Sequence, residues 1–219
     1  MSVSVSAQHG AYQVFIVTPE PPWFENCYLV RHNPTGETLI IDPGYNAASI
    51  LESLDEEGCT AQAILLTHAH PDHVGAVRGV QEALHIPCHL HSGDAELLAH
   101  IVDYASRRLG LEVEPPLSST TFTDNPGFQL GGVPFQVIPA PGHTQGGVVY
   151  AFDGFAVTGD TLFNHGVGRT DLPGGNGRQL MQSISHVLDS LTDDTVLYCG
   201  HGPDWVVAEA RPWWATMRG

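Results

Sequence analysis

Residues Thr67–Gly75 read THAHPDHVG and follow directly on the apolar run Ala63–Leu66. Three imidazoles and one carboxylate fall within six of these residues. Burying such a cluster without a cation is costly, because ionisable groups lose their hydration in a protein interior. Neutral imidazole and carboxylate are ligands that zinc, iron and manganese accept. The segment therefore predicts a metal site in a turn at the end of a strand.

The order of the donors in this turn suggests two adjacent metal ions. Strand-like alternation points His68 and His70 to the same side. Asp72 and His73 lie beyond Pro71, which ends the strand and presets the next backbone turn. The two pairs therefore face different points. A histidine-rich surface turn is the alternative interpretation, and the residues further along the chain argue against it.

Three further donors stand alone in the second half of the chain. Each lies at the carboxyl end of a predicted strand and beside a glycine, which lets the backbone approach a ligand closely. They are His143, Asp160 and His201. A single His or Asp in such a place is usually structural. Three repeats of the arrangement favour one shared site.

These motifs together resemble the metallo-β-lactamase-fold hydrolases, in which H-x-H-x-D-H is followed by strand-terminal G-H-T, T-G-D and G-H. The resemblance runs from about Asn26 to His201. Within the family, Thr158–Phe163 and Gly168–Gly175 look like the glyoxalase II branch and its short bacterial relatives. The fold that this implies is α+β, a four-layer αββα sandwich. Residues 1–219 would form one such domain, with a short C-terminal tail in place of a separate helical domain.

The resemblance implies two divalent metal ions, each held by three of the donors and bridged by Asp160. The first set is His68, His70 and His143, and the second is Asp72, His73 and His201. A bridging carboxylate suits two dications about 3.5 Å apart, because it neutralises part of their charge. Zinc is the expected metal, and iron or manganese are the alternatives that the same ligands accept.

Three residues have further expected roles. Asp72 would act in catalysis as well, by orienting an attacking hydroxide and accepting its proton. Asp42 is expected to orient the ligand turns rather than to bind a metal itself. Arg169 is a candidate for substrate binding, because it matches a basic position at which glyoxalase II holds its thiol substrate. An ion pair between Arg169 and Asp171 is the equal alternative.

The expected function is a metal-dependent hydrolase that cleaves acyl-thioesters of a small thiol, such as S-lactoylglutathione. A thiolate leaves without a dedicated general acid, since a thiol has a pKa near 8.5. Asp171 and Pro203 stand where glyoxalase II carries tyrosines, so the thiol itself is open. The first alternative is a mononuclear iron persulfide dioxygenase, which an intact second donor set argues against. The second is an N-acyl homoserine lactone lactonase, which the Gly168–Asp171 segment disfavours.

Composition supports an enzyme for small molecules. The chain has 24 acidic residues against eight basic ones, which gives a net charge of -16. Such a charge repels nucleic acids and anionic membranes. The sequence has no apolar run of about 18 residues to span a bilayer, and its first ten residues do not resemble a signal peptide. The expectation is a cytoplasmic monomer or homodimer that acts on a small-molecule thioester.

The hydrophobic pattern predicts alternating strands and helices. Val3–Val17 and Asn26–Asp42 are predicted as strands. Ala47–Glu57 and Val74–Leu84 are predicted as helices on either side of the metal turn, and Gln179–Leu191 as an amphipathic helix. The tail carries three tryptophans in ten residues. They are expected to close the core or a dimer contact rather than to line a substrate pocket.

Overall fold

The computed structural model describes residues 3–17, 24–105, 112–124 and 126–218. Two β-sheets lie face to face, and helices cover both outer surfaces. No helix in these ranges has the length and apolar character needed to cross a membrane.

The first sheet is formed by the amino-terminal half of the chain. Its described strands are β1 (Val3–His9), β2 (Tyr12–Val17), β3 (Cys27–His32), β4 (Glu37–Ile41), β5 (Thr60–Leu65), β6 (Cys88–His91) and β7 (Thr120–Phe122). They pair in chain order, antiparallel from β1 to β4 and parallel from β4 to β7. Each parallel step needs a crossover. The crossovers contain α1 (Ala47–Glu56), α2 (Pro71–Val74), α3 (Val77–Leu84), α4 (Ala95–Ala99) and α5 (Ile101–Tyr104).

The second sheet comes from the carboxyl-terminal half. Two short strands, β8 (Gln129–Leu130) and β9 (Val133–Pro134), form a hairpin ahead of it. The remaining elements are β10 (Gln136–Pro139), β11 (Val148–Phe152), β12 (Phe155–Gly159), β13 (Leu162–Phe163), β14 (Gly166–Val167), α6 (Gly177–Ser190), β15 (Val196–Cys199), β16 (Trp205–Val206) and α7 (Val207–Arg218). The sheet order is β10-β11-β12-β15-β16, and β13 pairs with β14 beside it. Strands β12 and β15 are parallel and are joined through α6.

Three groups of buried apolar side chains separate four layers. Neighbouring residues of β2 point in opposite directions: Phe15 packs on the helix side of the first sheet, and Val14 packs between the sheets. Tyr150 and Tyr198 face Val14 from the second sheet. Helices α6 and α7 cover the other face of that sheet through residues such as Ile184. The predicted α+β, four-layer αββα sandwich is confirmed.

Two of the predicted strands are wrong in extent. Val3–Val17 and Asn26–Asp42 each form a hairpin of two strands rather than one long strand. The chain turns at Gly10 and Gly36, which adopt φ angles of 53° and 74° in the left-handed region. Apolar residues continue on both sides of each turn, and β2, β3 and β4 each pack apolar side chains into the core. The pattern alone therefore conceals the reversal.

The tryptophan tail packs into the core behind the second sheet, as the sequence analysis favoured. Trp205 and Trp214 are each 3% exposed. They belong to the cluster that α6 and the second sheet share, and the indole N–H of Trp214 donates to Ser185 Oγ at 3.1 Å. Helix α7 is thus part of the outer helical layer on this side of the sandwich.

The substitution Trp214→Ala is expected to lower the free energy of unfolding by about 3–5 kcal/mol, because it opens a large cavity in this core. Met217→Ala lies on the same helix at a position that is 57% exposed. It serves as the matched control and is expected to change stability by about 0.5 kcal/mol or less. Urea unfolding of both variants measures the effect. If Trp214→Ala left stability unchanged and abolished enzymatic turnover, the packing role of the tail would be refuted.

Candidate metal centre

All seven donors predicted from the sequence meet at one edge of the two sheets. The ligand atoms of the first set lie within 4.8 Å of one another, and so do those of the second set. Asp160 contacts both: its Oδ1 is 3.3 Å from His73 Nε2, and its Oδ2 is 3.5 Å from His143 Nε2 and 3.6 Å from His201 Nε2. Asp72 Oδ2 lies 3.2 Å from His201 Nε2. The carboxylate of Asp160 therefore occupies a bridging position between two half-sites.

The fold brings these residues together because each follows a strand that ends at this edge. The turn after β5 carries the first four donors, and the turns after β10, β12 and β15 carry one donor each. The backbone after β15 packs closely against the donors. A Cβ atom at Gly200 would lie 2.3 Å from Asp160 Oδ1 and 2.8 Å from His73 Cε1. Only glycine fits at this position between the strand ends.

Hydrogen bonds from Nδ1 orient four of the five imidazoles. The acceptors are Thr67 Oγ1 for His68 at 3.1 Å, Asp42 Oδ2 for His73 at 2.9 Å, Arg169 O for His143 at 2.7 Å and Phe24 O for His201 at 3.2 Å. Since each of these acceptors takes the Nδ1 proton, the tautomer assigned to the ring leaves Nε2 with a free lone pair. That lone pair faces the centre in each case. This is the arrangement by which proteins prepare histidines for a metal.

His70 faces the centre with Nδ1 rather than with Nε2. Its Nδ1 lies 2.8 Å from His143 Nε2. Two imidazole lone pairs at this distance repel each other unless a proton or a cation lies between them. His70 thus completes the first donor set with Nδ1, whereas the other four imidazoles face the centre with Nε2.

Buried atoms without partners test whether the residues fit a metal. Within the described residues, the buried side-chain atoms without a hydrogen-bond partner include three at the centre, namely His68 Nε2, His73 Nε2 and Asp160 Oδ1. Buried polar atoms are nearly always paired, and an unpaired one costs about 1–3 kcal/mol. All three atoms point at the two half-sites. Borderline nitrogen and hard oxygen donors in two sets with a shared carboxylate fit two divalent metal ions.

The electrostatics agree with this fit. Burial lowers the pKa of His68 well below its ordinary value and that of His70 to about 3, and neighbouring histidines add to both shifts. Burial also lowers the pKa of His73, but the carboxylates around it, Asp160 foremost, more than offset this and raise that pKa well above its usual value. Burial alone would raise the pKa of Asp160, but the neighbouring histidines, His73 foremost, outweigh burial and lower that pKa below its ordinary value. The site thus favours the neutral form of His68 and His70, as metal ligands must be, while its carboxylates favour positive charge at His73 and His201.

Asp42 supports the ligand turns, as the sequence suggested. Its Oδ1 accepts from the Thr67 backbone N–H at 2.7 Å, and its Oδ2 accepts from Thr67 Oγ1 at 2.5 Å and from His73 Nδ1. Although it groups with His68 and His73 as a possible ligand, its oxygens are already used by these donors. Asp42 also has a φ of 52°, a strained value for a residue with a side chain. This backbone conformation accompanies the contacts of the Asp42 carboxylate with Thr67 and His73.

Asp94 is a supporting residue that the sequence analysis missed. It is 1% exposed and accepts from Ala69 N at 3.0 Å, from Thr144 Oγ1 at 2.8 Å and from Gly146 N at 2.6 Å. One carboxylate thereby ties the turn that carries His68 and His70 to the turn that carries His143. The available signal was its place shortly after β6, at the same sheet edge. That position alone does not reveal its partners.

The segment before β3 supports the second half-site, and this too was missed. The Asn26 backbone N–H donates to Gly200 O at 2.8 Å, and its side-chain amide donates to Cys199 O at 3.1 Å and to Gly202 O at 2.9 Å. Asn26 therefore brackets His201 on both sides. Its neighbour Glu25 is fully buried, with Oε1 at 3.9 Å from His73 Nδ1, and burial raises its pKa well above the usual value.

Arg169 contributes its backbone to the centre and its side chain to an ion pair. Its carbonyl accepts from His143 Nδ1, and its guanidinium donates to both carboxylate oxygens of Asp171 at 2.8 and 2.7 Å. The Arg169 side chain is 60% exposed. The ion pair that the sequence analysis weighed is therefore formed, and substrate binding by this arginine stays a prediction.

A cavity of about 570 Å³ opens beside the first half-site. Tyr104 lines it and stacks on His70, with ring centroids 5.8 Å apart and an interplanar angle of 18°. Thr144, next to the ligand His143, lines it as well. The volume is that of a typical small-molecule pocket. The cavity thus adjoins the first half-site through Tyr104 and Thr144.

The sequence and structure comparisons agree with this geometry. A model of the metallo-β-lactamase superfamily matches residues 21–201. YqgX of Bacillus subtilis, a probable metallo-hydrolase, is 37% identical over 85% of this chain and 89% of its own. The hydroxyacylglutathione hydrolase GloC of Haemophilus influenzae is 31% identical over 89% of this chain and 93% of its own.

Two crystal structures share both fold and sequence with the chain. TTHA1623, solved in a di-iron-bound form, is 39% identical, with a TM-score of 0.80 over 90% of this chain and 97% of that one. The B3 metallo-β-lactamase BLEG-1 is 31% identical, with a TM-score of 0.84 over 93% and 99%. Fold, donor pattern and relatives coincide over nearly the whole length. The chain belongs to the metallo-β-lactamase superfamily, whose members depend on divalent metal ions.

Proposed function

We propose that this metal-dependent hydrolase cleaves acyl-thioesters of a small thiol at a dinuclear centre. The observation that carries the proposal is the pair of complete donor sets joined by Asp160. The first ion would be held by His68, His70 and His143, and the second by Asp72, His73 and His201. The similarity to a hydroxyacylglutathione hydrolase supports a thioester as the substrate.

Two ions are proposed rather than one, because the second donor set is as complete as the first. The similar protein TTHA1623 carries two irons, which supports the count and makes iron a candidate beside zinc. A mononuclear iron dioxygenase would leave Asp72 and His201 without a metal to bind. Their Oδ2 and Nε2 atoms instead converge to 3.2 Å.

The chemistry divides between the metals and the side chains. Two bound dications supply a water of lowered pKa and polarise the acyl carbonyl. Asp72, which is 22% exposed, is positioned to accept a proton from the attacking water. Burial raises the pKa of Asp72, yet His73 and His201 bring it below its ordinary value, so this carboxylate is ionised and ready to accept.

Hydrolysis forms a bond between the water oxygen and the acyl carbon and breaks the bond between that carbon and sulfur. One proton of the water passes to Asp72 and then to the departing thiolate. The products are a carboxylic acid and a free thiol. Because a thiolate is stable near neutral pH, the site needs no further acid to protonate the leaving group. Asp160 contacts histidines of both half-sites and would therefore hold the two half-sites at a constant distance.

Protein reconstituted with zinc or iron is expected to bind two ions per chain and to release thiol from S-lactoylglutathione or S-lactoyl-N-acetylcysteamine. Removing the ions with a chelator should abolish turnover, and adding them back should restore it. Elemental analysis and thiol titration measure both effects. A single bound iron together with oxygen uptake on glutathione persulfide would establish the dioxygenase in place of the hydrolase.

Asp160→Ala is expected to lose metal and activity together, because it removes the shared ligand. Metal content should fall below two ions per chain, and kcat/KM should fall by at least about a hundredfold. Asp189→Asn, an exposed acid on α6, is the control and should retain both. Full metal content in Asp160→Ala would show that this residue does not bridge the ions.

Asn26→Ala is expected to weaken the second ion selectively, because the amide that brackets His201 is lost. The affinity of that ion should fall by about 10–100-fold, and that of the first ion should stay within about twofold. Titration against a chromophoric chelator resolves the two steps. Asn33→Ala, in the turn after β3, provides the comparison. Equal weakening of both ions by Asn26→Ala would contradict a local role.

A further inference from the structure

The carboxylate of Asp94 is buried between two turns of the metal centre. The residue is only 1% exposed. Its Oδ2 accepts from Ala69 N at 3.0 Å and from Thr144 Oγ1 at 2.8 Å, and its Oδ1 accepts from Gly146 N at 2.6 Å. Hydrogen bonds to an ionised carboxylate are about twice as strong as those between neutral groups. Asp94 thus fixes the position of each turn relative to the other.

These contacts fall on the first donor set. Ala69 separates the two histidines of the turn after β5, and Thr144 directly follows His143. Each ligand of the first ion is therefore next in sequence to a residue that donates to Asp94.

The second donor set has supports of its own. The Asp42 carboxylate accepts from His73 Nδ1 at 2.9 Å. The side-chain amide of Asn26 donates to the backbone carbonyls before and after His201, at 3.1 and 2.9 Å. The backbone that carries His201 is thus held without Asp94.

His70 depends most on the backbone contact with Asp94. Among the described residues, its Nε2 is one of the buried atoms without a hydrogen-bond partner, and its Nδ1 faces His143 Nε2 at 2.8 Å. The other four ligand imidazoles each have an acceptor at Nδ1. The orientation of the His70 ring therefore rests on its stack with Tyr104 and on its backbone, which Asp94 holds at Ala69.

The segment after β6 packs backbone to backbone on the turn after β10. A Cβ atom at Gly146 would lie 2.7 Å from Asp94 Cγ, and one at Gly93 would lie 2.6 Å from Gln145 O. Glycine at both positions permits this close approach. Because closely packed groups have little room to adjust, a change at Asp94 displaces the turn that carries His143.

We propose that Asp94 is a positioning residue for the first ion and sets the affinity of that ion separately from the affinity of the second. The inference rests on the two-ion centre of the proposed function. Asp94 acts through the backbone at Ala69 and Gly146 and through the Thr144 hydroxyl, and its oxygens are occupied by these donors. It therefore orients ligands and does not bind the metal itself.

Stepwise loading of the metal-free protein with Co²⁺, in competition with a chromophoric chelator, tests the proposal. The visible spectra of His143→Ala and His201→Ala, which each keep one complete donor set, are the references for the second and the first ion. Asp94→Asn is expected to weaken binding of the first ion by about 10–100-fold and to leave the affinity of the second within about twofold.

Two controls bracket this variant. Glu96→Gln removes an exposed acid two residues further along the chain and should leave both affinities within about twofold of the wild type. Asn26→Ala should give the reverse pattern, with weakening confined to the second ion.

A milder pair of variants tests the same contact in case Asp94→Asn does not fold. Thr144→Val keeps the size of the side chain and removes one hydrogen bond to Asp94. It should weaken binding of the first ion by about fivefold. Thr144→Ser keeps the hydroxyl and should bind that ion as the wild type does. Circular dichroism establishes that each variant is folded.

The outcomes separate this proposal from the proposed function. Equal weakening of both ions by Asp94→Asn, or an unchanged affinity for the first ion in Thr144→Val, would overturn the role of Asp94 and leave thioester hydrolysis standing. Wild-type enzyme that holds two ions and cleaves no thioester would refute the proposed function and leave the role of Asp94 standing. Wild-type protein that binds a single ion would overturn both.

Discussion

The structure depends on holding five imidazoles and two carboxylates together at one point, where four of the imidazoles are buried. In a low-dielectric interior each of these groups needs a partner, and each ligand must also be kept in the protonation state that a metal accepts. The protein meets both needs with the Nδ1 hydrogen bonds. His68 and His73 connect to Asp42, directly or through Thr67, while His143 and His201 donate to backbone carbonyls. His68 Nε2, His73 Nε2 and Asp160 Oδ1, which face the centre, remain without a hydrogen-bond partner.

The sandwich of two sheets brings this network together. Strands from both sheets end at a common edge, so ligands from distant parts of the chain can converge without buried loops. Asp94 and Asn26 then tie the turns to one another across the two halves. Gly200 lets the strand ends approach closely enough for Asp160 to reach both half-sites. The contacts that position the donors are thus also contacts that hold the two halves of the fold together.

A cavity beside the centre is formed by a different part of the molecule. It lies between α4, α5 and the turn before α6, and its volume is about 570 Å³. Tyr104 connects it to the first half-site by stacking on His70. The guanidinium of Arg169 is engaged by both carboxylate oxygens of Asp171. The donors are thus carried by turns at the strand ends, whereas the cavity wall is built largely from helix surfaces and loops.

The sequence by itself determined the superfamily and the four-layer fold, because the H-x-H-x-D-H turn and the strand-terminal glycines are local patterns. The same patterns predicted the seven donors that the structure brings together. It also predicted the support by Asp42 and the burial of the tryptophan tail. It did not resolve the two hairpins, since both arms of each share one hydrophobic pattern. Only the tertiary structure revealed the supporting roles of Asp94, Glu25 and Asn26 and the tautomers assigned to the ligand histidines. These depend on contacts between residues far apart in the chain, and no local pattern records which strand ends will meet.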